Sequence, residues 1–141
     1  MTTSASRPAT GPTARRSIHV PGLGHGSQPI PAASVVGGLL MTGGVSGKDP
    51  ATGSIPEDPA AEVAQAFANL AAILAAAGGT MEQVVKVTVF VTDRGIRSHL
   101  NPVWEQHFPD PDHRPARHTL EVPLTGMRLQ LEAVAVLAEQ S

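Results

Sequence analysis

The stretch RPARHTLEV, Arg114 to Val122, carries the side chain best suited to bind a carboxylate. The Arg117 guanidinium is a planar fork of donors that can hold both oxygens of a carboxylate, which a lysine cannot do. Period-two alternation along the predicted strand puts Arg117, Thr119 and Glu121 on one face and His118 on the other. The pattern therefore predicts carboxylate binding by Arg117. A salt bridge across an interface, or a solvated sheet edge, is the alternative.

Histidine provides the candidates for proton transfer, because its ordinary pKa lies closest to neutral pH. His25 is the first candidate, since it lies in the glycine-rich loop GLGHGSQPIP, which could bring it over a cleft. His107 falls on the inward side of a predicted helix, as a core histidine would, and His99 and His113 are predicted at the surface. No two histidines stand three or four positions apart, and the spacing of His113 and His118 does not bring two ligands together. No metal site is therefore predicted.

The composition fits one domain preceded by a disordered tail. At 141 residues with 41% hydrophobic side chains, the chain is long enough for a single ordinary core. Residues 1–16 are rich in Ser, Thr, Ala, Pro and Gly and hold three arginines without an acid, so they are predicted to be disordered. Residues 17–141 then form the domain, with a net charge of −5. An acidic body argues against binding to a nucleic-acid backbone.

Three absences in the sequence narrow the class of protein. There is no cysteine, which excludes disulfides, thiolate nucleophiles and cysteine-ligated metals. No apolar run approaches the roughly 20 residues of a membrane span. No apolar segment follows the basic residues at the N-terminus, so a signal peptide is not predicted. A cytoplasmic protein without a membrane partner fits these observations best.

The chain alternates strands and helices that can position these residues. Gly37-Gly38 interrupts the apolar run from Ser34 to Gly44 and predicts a hairpin, which a loop over Val45 to Pro59 follows. A first helix is predicted to be capped by Asp58 and ended by Gly78-Gly79. The other predicted elements are a strand from Val84 to Thr92, a helix from Arg97 to Phe108 with Pro102 in its first turn, and strands from Ala116 to Val122 and from Met127 to Leu137.

Alternation along these strands gives the sheet two different faces. One is apolar, includes Val85 and the next three alternate valines, and suits cover by two helices. The other mixes polar and apolar side chains, and Arg117, Thr119 and Glu121 are assigned to it. Its other members are Lys86, Thr88, Phe90, Gln130, Glu132, Val134 and Val136. A mixed face suits a subunit interface, so the prediction is an oligomeric α+β protein with two helices on one side of a mixed sheet.

Five stretches occur in an order that resembles the Rid family, also called RidA or YjgF. They are LLMTGGVSGKDPATGSIPED, QAFANLAAILAAAGGTMEQVVKVTVFVTD, LNPVWEQHFPD, RPARHTLEV and LQLEAVAV, and the resemblance covers residues 28–137. It implies a chorismate-mutase-like fold that assembles as a homotrimer with three sites in the clefts between subunits. It also implies hydrolysis of reactive enamines and imines, released by pyridoxal-phosphate enzymes, to a 2-oxo acid and ammonia. The resemblance further implies that no metal and no bound cofactor is used.

The resemblance also implies roles for single residues. Arg117 matches the arginine of the family's P-A-R motif, which clamps the substrate carboxylate. Gly44 matches a site glycine whose backbone approaches the substrate, an approach that a Cβ would hinder. Asn101 matches an asparagine common near the rim of the cleft. Arg97, in contrast, stands where many family members have an apolar residue.

Three site positions depart from the deaminating members of the family. The tyrosine of the G-P-Y-S-Q stretch becomes Ile30 in QPIPA, and the Cys or Ser two residues after the arginine becomes Thr119. The last-strand glutamate, which positions or activates the water, becomes Gln130. A glutamine can orient water through its carbonyl oxygen but cannot take up a proton near neutral pH. These changes put the usual mechanism in question and leave His25 and Gln130 as the candidate catalytic residues.

The sequence leaves two functions open. The first is an enzyme that transforms a small carboxylate-bearing enamine or imine. Its substrate would be bound by Arg117, Thr119, Gly44, Ile30 and Asn101. The second is a trimer that binds a carboxylate metabolite without turnover, for which the missing glutamate argues. Ribonuclease activity, attached to some relatives, has little support in an acidic body without a stripe of aromatic and basic residues.

Overall fold

Seven strands form one mixed sheet that carries two helices on one face. The computed structural model describes residue 11 and residues 14–138. Its elements are β1 (Arg16–Ile18), β2 (Ala33–Val36), β3 (Leu39–Thr42), β4 (Val45–Ser46), α1 (Pro59–Ala76), β5 (Val84–Val91), α2 (Arg97–His107), β6 (Ala116–Glu121) and β7 (Leu129–Val136). The strand order is β1-β2-β3-β7-β5-β6, β4 also pairs with β7, and β5 and β6 are the parallel pair. The predicted α+β architecture is confirmed.

The predicted hairpin is present, and the loop after it starts later than predicted. Gly37 has φ +60° in the turn between β2 and β3, a left-handed conformation that favours glycine. Val45 and Ser46 were predicted to begin the loop but form β4. They do so because Val45 pairs with Leu131 and Ser46 pairs with Gln130 on β7.

The N-terminal tail was predicted to extend through Arg16, but Arg16 is the first residue of β1. It pairs with Val35, and its guanidinium donates a hydrogen bond to the Ala77 carbonyl at 3.2 Å. Residues 1–10, 12 and 13 of the predicted tail lie outside the described residues.

Helix α1 has the predicted ends and packs on the sheet. Asp58 caps it by accepting a hydrogen bond from the Ala61 amide at 3.3 Å, and Gly78 follows its last turn at φ +84°. Its buried apolar side chains are Val63, Ala66, Phe67, Leu70, Ile73 and Leu74. This composition also makes α1 the one helix in the described part of the chain long and apolar enough to cross a membrane. Core helices of soluble proteins share that property.

Two buried polar side chains of α1 fix the loops around the sheet. Glu62 is fully buried and pairs with Arg128 just before β7, with Oε1 to Nη1 at 2.7 Å. Glu62 also accepts a hydrogen bond from the Arg128 amide at 2.8 Å. The Asn69 side-chain amide donates to the carbonyls of Ser46 and Lys48 at 2.9 and 2.8 Å. The segment after β3 is therefore held against the helix.

Helix α2 differs from its prediction in the place of Pro102. Asp93 accepts a hydrogen bond from the Gly95 amide at 2.7 Å and starts a short 3-10 turn that leads directly into α2 at Arg97. Pro102 is consequently an interior residue of α2, and its predicted first-turn position is wrong. It lies on the exposed side of the helix, where water can satisfy the carbonyl that a proline leaves without a helical donor.

An aromatic cluster joins α2 to α1. The Trp104 ring meets Phe67 edge-on at 6.3 Å between centroids, and the His107 ring stacks on Phe67 at 5.5 Å. Burial lowers the pKa of His107 below its ordinary value of 6.5. These contacts agree with the prediction of His107 as an inward-facing core histidine.

The central strand β5 departs from strict alternation at its start. The register against β7 shifts between Val84 and Lys86, which places an irregularity at Val85. Val85 is 51% exposed, whereas Val87, Val89 and Val91 are fully buried under the helices. The prediction that Val85 shares their face is therefore wrong.

The sheet face opposite the helices, called here the open face, carries uncovered apolar side chains. Val36 pairs with Leu39, and Leu39 pairs with Val136 on β7. Met41 lies two residues from Leu39 on the same face. These four side chains are 44 to 55% exposed. Together they make an apolar patch of the kind that marks an interaction surface.

Candidate active site

Two separate pockets hold the predicted site residues. The first, called here the Gln130 pocket, has a volume of about 270 Å³ and lies between the loop at Leu23–Gly26, the strand β4 region and the start of β7. Gln130, Gly44 and His25 all line it. The second, called here the Arg117 pocket, is an open cleft of about 540 Å³ between α2 and β6.

Gln130 lies against the backbone of Gly44. A Cβ at position 44 would stand 2.5 to 2.8 Å from the amide atoms of Gln130, so an alanine there would displace this side chain. Gln130 Nε2 contacts Met127 Sδ at 4.0 Å, a weak hydrogen bond. The carbonyl oxygen of the Gln130 side chain can therefore accept a hydrogen bond from a water in the pocket.

His25 reaches the same pocket from the loop after β1. Its Nε2 lies 3.5 Å from where a Cβ would stand on Gly43, next to Gly44. Lys48 holds this loop in place, because its ammonium donates to the Gly24 carbonyl at 2.7 Å. His25 and Gln130 therefore line the same cavity. The sequence had suggested that the loop could bring His25 over a cleft. Ile30 is 53% exposed and does not line the cavity.

The Arg117 pocket is built on a cation–π contact. The Arg117 guanidinium carbon lies 5.0 Å from the centre of the Trp104 ring. Asn101, one turn earlier on α2, lines the pocket with them. Burial and, secondly, the positive charge of Arg97 lower the pKa of Arg117, which as an arginine still remains protonated at neutral pH.

The strand register places Arg117 on a different face from the predicted one. Val87 pairs with Arg117 and Val89 with Thr119, and paired residues of neighbouring strands project to the same side of a sheet. Because both valines are buried under the helices, Arg117, Thr119 and Glu121 lie on the helix-covered face. Their assignment to the mixed face is wrong.

Gln130 lies on the open face, across the sheet from Arg117. It pairs with Phe90, which alternates with the buried Val89 and Val91. His118 pairs with Thr88 and also lies on the open face, opposite Arg117 as predicted. The fold therefore brings Gln130, Gly44 and His25 together and Arg117 and Asn101 together, but it does not join the two sets within one chain. Thr119 shares the face of Arg117 without lining its pocket.

Sequence reasoning missed Glu105 and Arg114, which line the Arg117 pocket together with Asn101, Trp104 and Arg117. Asn101 and Glu105 are four residues apart, which places them on one face of α2. This spacing was the available signal, but it needed the docking of α2 beside β6 to become informative. Within residues 14–138 no cluster of three or more His, Cys, Asp or Glu residues has the arrangement of a metal site.

Comparison with known proteins gives the family. A profile of the family described as Endoribonuclease L-PSP matches residues 28–139. The chain belongs to this family, the Rid family. A RutC family protein from Aquifex aeolicus is 39% identical over 111 residues, which cover 77% of this chain and 88% of that protein.

Two further relatives link the Rid family to a reaction and to the fold. A 2-iminobutanoate/2-iminopropanoate deaminase from Salmonella typhimurium is 35% identical over 104 residues, covering 72% of this chain and 81% of that protein. The crystal structure of the YjgF gene product from Escherichia coli superposes with a TM-score of 0.77 at 31% identity, covering 86% of this chain and 98% of that one. The predicted Rid-family membership and Rid/YjgF fold are confirmed.

Proposed function

We propose that this Rid-family protein hydrolyses 2-imino acids, or their enamine tautomers, to 2-oxo acids and ammonia. The observation that carries the proposal is the Arg117 guanidinium. It lies in an open pocket beside Asn101, and none of the ion pairs within residues 14–138 involves it. The two parallel N–H donors of a guanidinium fit the two oxygens of the carboxylate that lies next to the imine carbon of such a substrate. The relatives named 2-iminobutanoate/2-iminopropanoate deaminase support the same reaction.

The reaction needs an oriented water and one proton carrier. Water adds to the imine carbon, a C–O bond forms and the C=N double bond becomes single. The C–N bond then breaks, nitrogen leaves as ammonia and the oxygen stays as the carbonyl of the 2-oxo acid. Gln130 orients the water through its side-chain oxygen, and His25 in the same pocket carries one proton from oxygen to nitrogen when water adds and a second one when the C–N bond breaks.

The proposed site is completed by assembly into a homotrimer. The apolar patch on the open face supports a subunit interface, because a monomer would leave it in water. In the trimer, Arg117, Thr119 and Asn101 come from one subunit and Gln130, Gly44, Ile30 and His25 from the next. No metal or cofactor is assigned to this site, and the cytoplasmic location expected from the sequence stays part of the proposal.

The second candidate function is binding of a carboxylate metabolite without turnover. Gln130 favours it, since an amide beside Gly44 cannot act as the general base that a carboxylate would supply. In that case Arg117 would still bind the ligand, but neither His25 nor Gln130 would affect a reaction rate.

The decisive experiment measures 2-oxo acid and ammonia release from imines that an amino-acid oxidase produces in the same vessel, with catalase present. We expect the protein to accelerate release above the spontaneous rate and Arg117→Ala to abolish the acceleration. Arg94→Ala is the matched control, because it removes an equal charge and the Arg94 backbone amide still bonds Glu121. No acceleration across several amino acids, with carboxylate binding retained, would favour the binding function instead.

A further inference from the structure

The loop that carries His25 docks at two places on the segment after β4. Gly22 has φ +80° and lies so close to Pro50 that a Cβ on Gly22 would overlap the Pro50 carbonyl. Two residues later, the Gly24 carbonyl accepts a hydrogen bond from the Lys48 ammonium at 2.7 Å. His25 follows Gly24 directly, so Lys48 holds the peptide group from which His25 projects.

Lys48 is in turn anchored to the core through its backbone. The Asn69 side-chain amide donates one hydrogen bond to the Lys48 carbonyl at 2.8 Å and another to the Ser46 carbonyl at 2.9 Å. Asn69 is 2% exposed, and its side-chain oxygen accepts a hydrogen bond at 2.8 Å from Gln65, one turn earlier on α1. Both donors and the oxygen of this buried amide are therefore used, which fixes the base of the Lys48 side chain against α1.

The part of the loop around His25 has few other contacts. A Cβ on Gly24 or on Gly26 would meet no atom within 4 Å. The His25 carbonyl accepts a hydrogen bond from the Gln28 amide at 3.2 Å, but this bond closes a turn within the loop. In the part of the chain that the structure describes, the bond from Lys48 is the one hydrogen bond that ties residues 24–26 to the rest of the fold.

The place of this loop decides where the His25 imidazole lies. Its Nε2 is 3.5 Å from where a Cβ would stand on Gly43, and His25, Lys48 and Gln130 all line the Gln130 pocket. Proton transfer needs a separation of about 2.6–3.2 Å between the two heavy atoms. A displacement of about 1 Å can therefore cost about 100-fold in rate. A loop released from Lys48 would allow such a displacement.

We propose that Lys48 is a positioning residue for proton transfer by His25. Its ammonium makes a charge-assisted hydrogen bond to the Gly24 carbonyl, and no ion pair within residues 14–138 competes for it. The inference rests on the proposed function, in which His25 carries the protons, and adds the residue that places His25. Because Arg117 binds the substrate carboxylate, loss of the Lys48 ammonium should lower kcat and leave KM unchanged.

The first test replaces Lys48 by methionine, which removes the ammonium and keeps an unbranched stem. The substrate is the imine that an L-amino-acid oxidase produces from 2-aminobutanoate, with catalase present. We expect Lys48→Met to lower kcat about tenfold or more at an unchanged KM, and Lys48→Arg, which keeps a donor, to restore most of the rate. An unchanged kcat with a higher KM would make Lys48 a substrate-binding residue and overturn the inference.

Arg94→Met is the control for net charge. It removes one positive charge from the short turn before α2, and Arg94 does not line the Gln130 pocket. Both kinetic constants should keep their wild-type values in this variant. An equal loss of kcat in Arg94→Met and in Lys48→Met would assign the effect to net charge, against the inference.

A double-mutant cycle with His25 separates positioning from a general structural role. In His25→Ala, the group that Lys48 holds is gone, so adding Lys48→Met should lower the residual kcat no further. A second loss of similar size in the double variant would show that Lys48 acts independently of His25, which contradicts the proposed role.

NMR order parameters of the Gly24, His25 and Gly26 amides test the placement without turnover. We expect them to fall in Lys48→Met and to keep their wild-type values in Arg94→Met. If the wild type does not accelerate imine hydrolysis but the order parameters fall in Lys48→Met, the deaminase function fails and the hold of Lys48 on the loop stands. If hydrolysis occurs and neither kcat nor the order parameters depend on Lys48, the reaction stands and the positioning role is wrong.

Discussion

The guanidinium of Arg117 lies 5.0 Å from the centre of the Trp104 ring, and this contact joins the edge strand β6 to helix α2. The Trp104 ring stabilises the Arg117 side chain in two ways. It packs against the apolar parts of the side chain, and its negative face stabilises the cation that burial would otherwise disfavour. Because Trp104 is itself fixed by Phe67 and Phe108, the guanidinium is held at the wall of the pocket before any ligand arrives.

Replacement of Arg117 by lysine separates charge from shape. Lysine keeps a positive charge but offers a point charge in place of two parallel donors. We expect Arg117→Lys to weaken carboxylate binding about tenfold, seen as a higher KM for the imine or a higher Kd for the 2-oxo acid. Arg94→Lys should leave both constants unchanged. Wild-type affinity in Arg117→Lys would mean that carboxylate binding does not depend on the two parallel donors of the guanidinium.

Much of the fold followed from the sequence, because its signals are local. The glycine turn between β2 and β3 and the cap and end of α1 depend on residues that are neighbours in the chain. Alternation likewise fixed which residues of β6 share a face. It could not fix which side of the sheet that face is on, since this depends on the pairing of Arg117 with Val87. The face of Arg117 was therefore predicted wrongly.

The other corrections have the same origin. Val85 is exposed because the register of β5 against β7 shifts, and β4 exists because Val45 and Ser46 find partners on β7. No pattern within either segment encodes its partner. The place of Glu105 on the Arg117 pocket depends on how α2 docks, which the sequence does not state locally. The residues of the site could be named from the sequence, but their division between two pockets could not.

Gly44→Ala tests whether the close contact with Gln130 matters for the reaction. The added Cβ would stand 2.5 Å from the Gln130 side chain, which is flexible enough to move away without disturbing the backbone. We therefore expect a loss of kcat close to that of Gln130→Ala, with little change in the melting temperature. The double variant should be no slower than Gln130→Ala alone, because the two changes remove one interaction. Additive losses would show that Gly44 acts independently of Gln130.

The stability of the fold should depend on pH through His107. Burial lowers its pKa in the folded state below 6.5, so the unfolded chain binds the proton more readily. The contribution is fully present above pH 6.5 and is lost as the pH falls through the folded-state pKa. We expect the free energy of unfolding to fall between about pH 7.5 and pH 5.

His107→Phe keeps the stacking on Phe67 and should have a shallower pH dependence than the wild type. His113→Gln is the control, since the side chain of His113 is 80% exposed. An unchanged slope in His107→Phe would assign the pH dependence to other groups. Urea denaturation at a series of pH values measures the free energy of unfolding of the wild type and of both variants.

Mixing two inactive variants tests whether the site is shared between subunits. Arg117→Ala subunits keep Gln130, and Gln130→Ala subunits keep Arg117, so an intersubunit site can combine the intact halves. Random reassembly of equal amounts into trimers should restore about a quarter of the wild-type sites, because each mixed trimer then contains one intact pair. Leu39→Lys in both variants is the control, since a charge beside Val136 should disrupt the open-face interface and abolish the recovery. A mixture no more active than the average of its parents would place Arg117 and Gln130 in separate functions and remove the composite site from the proposal.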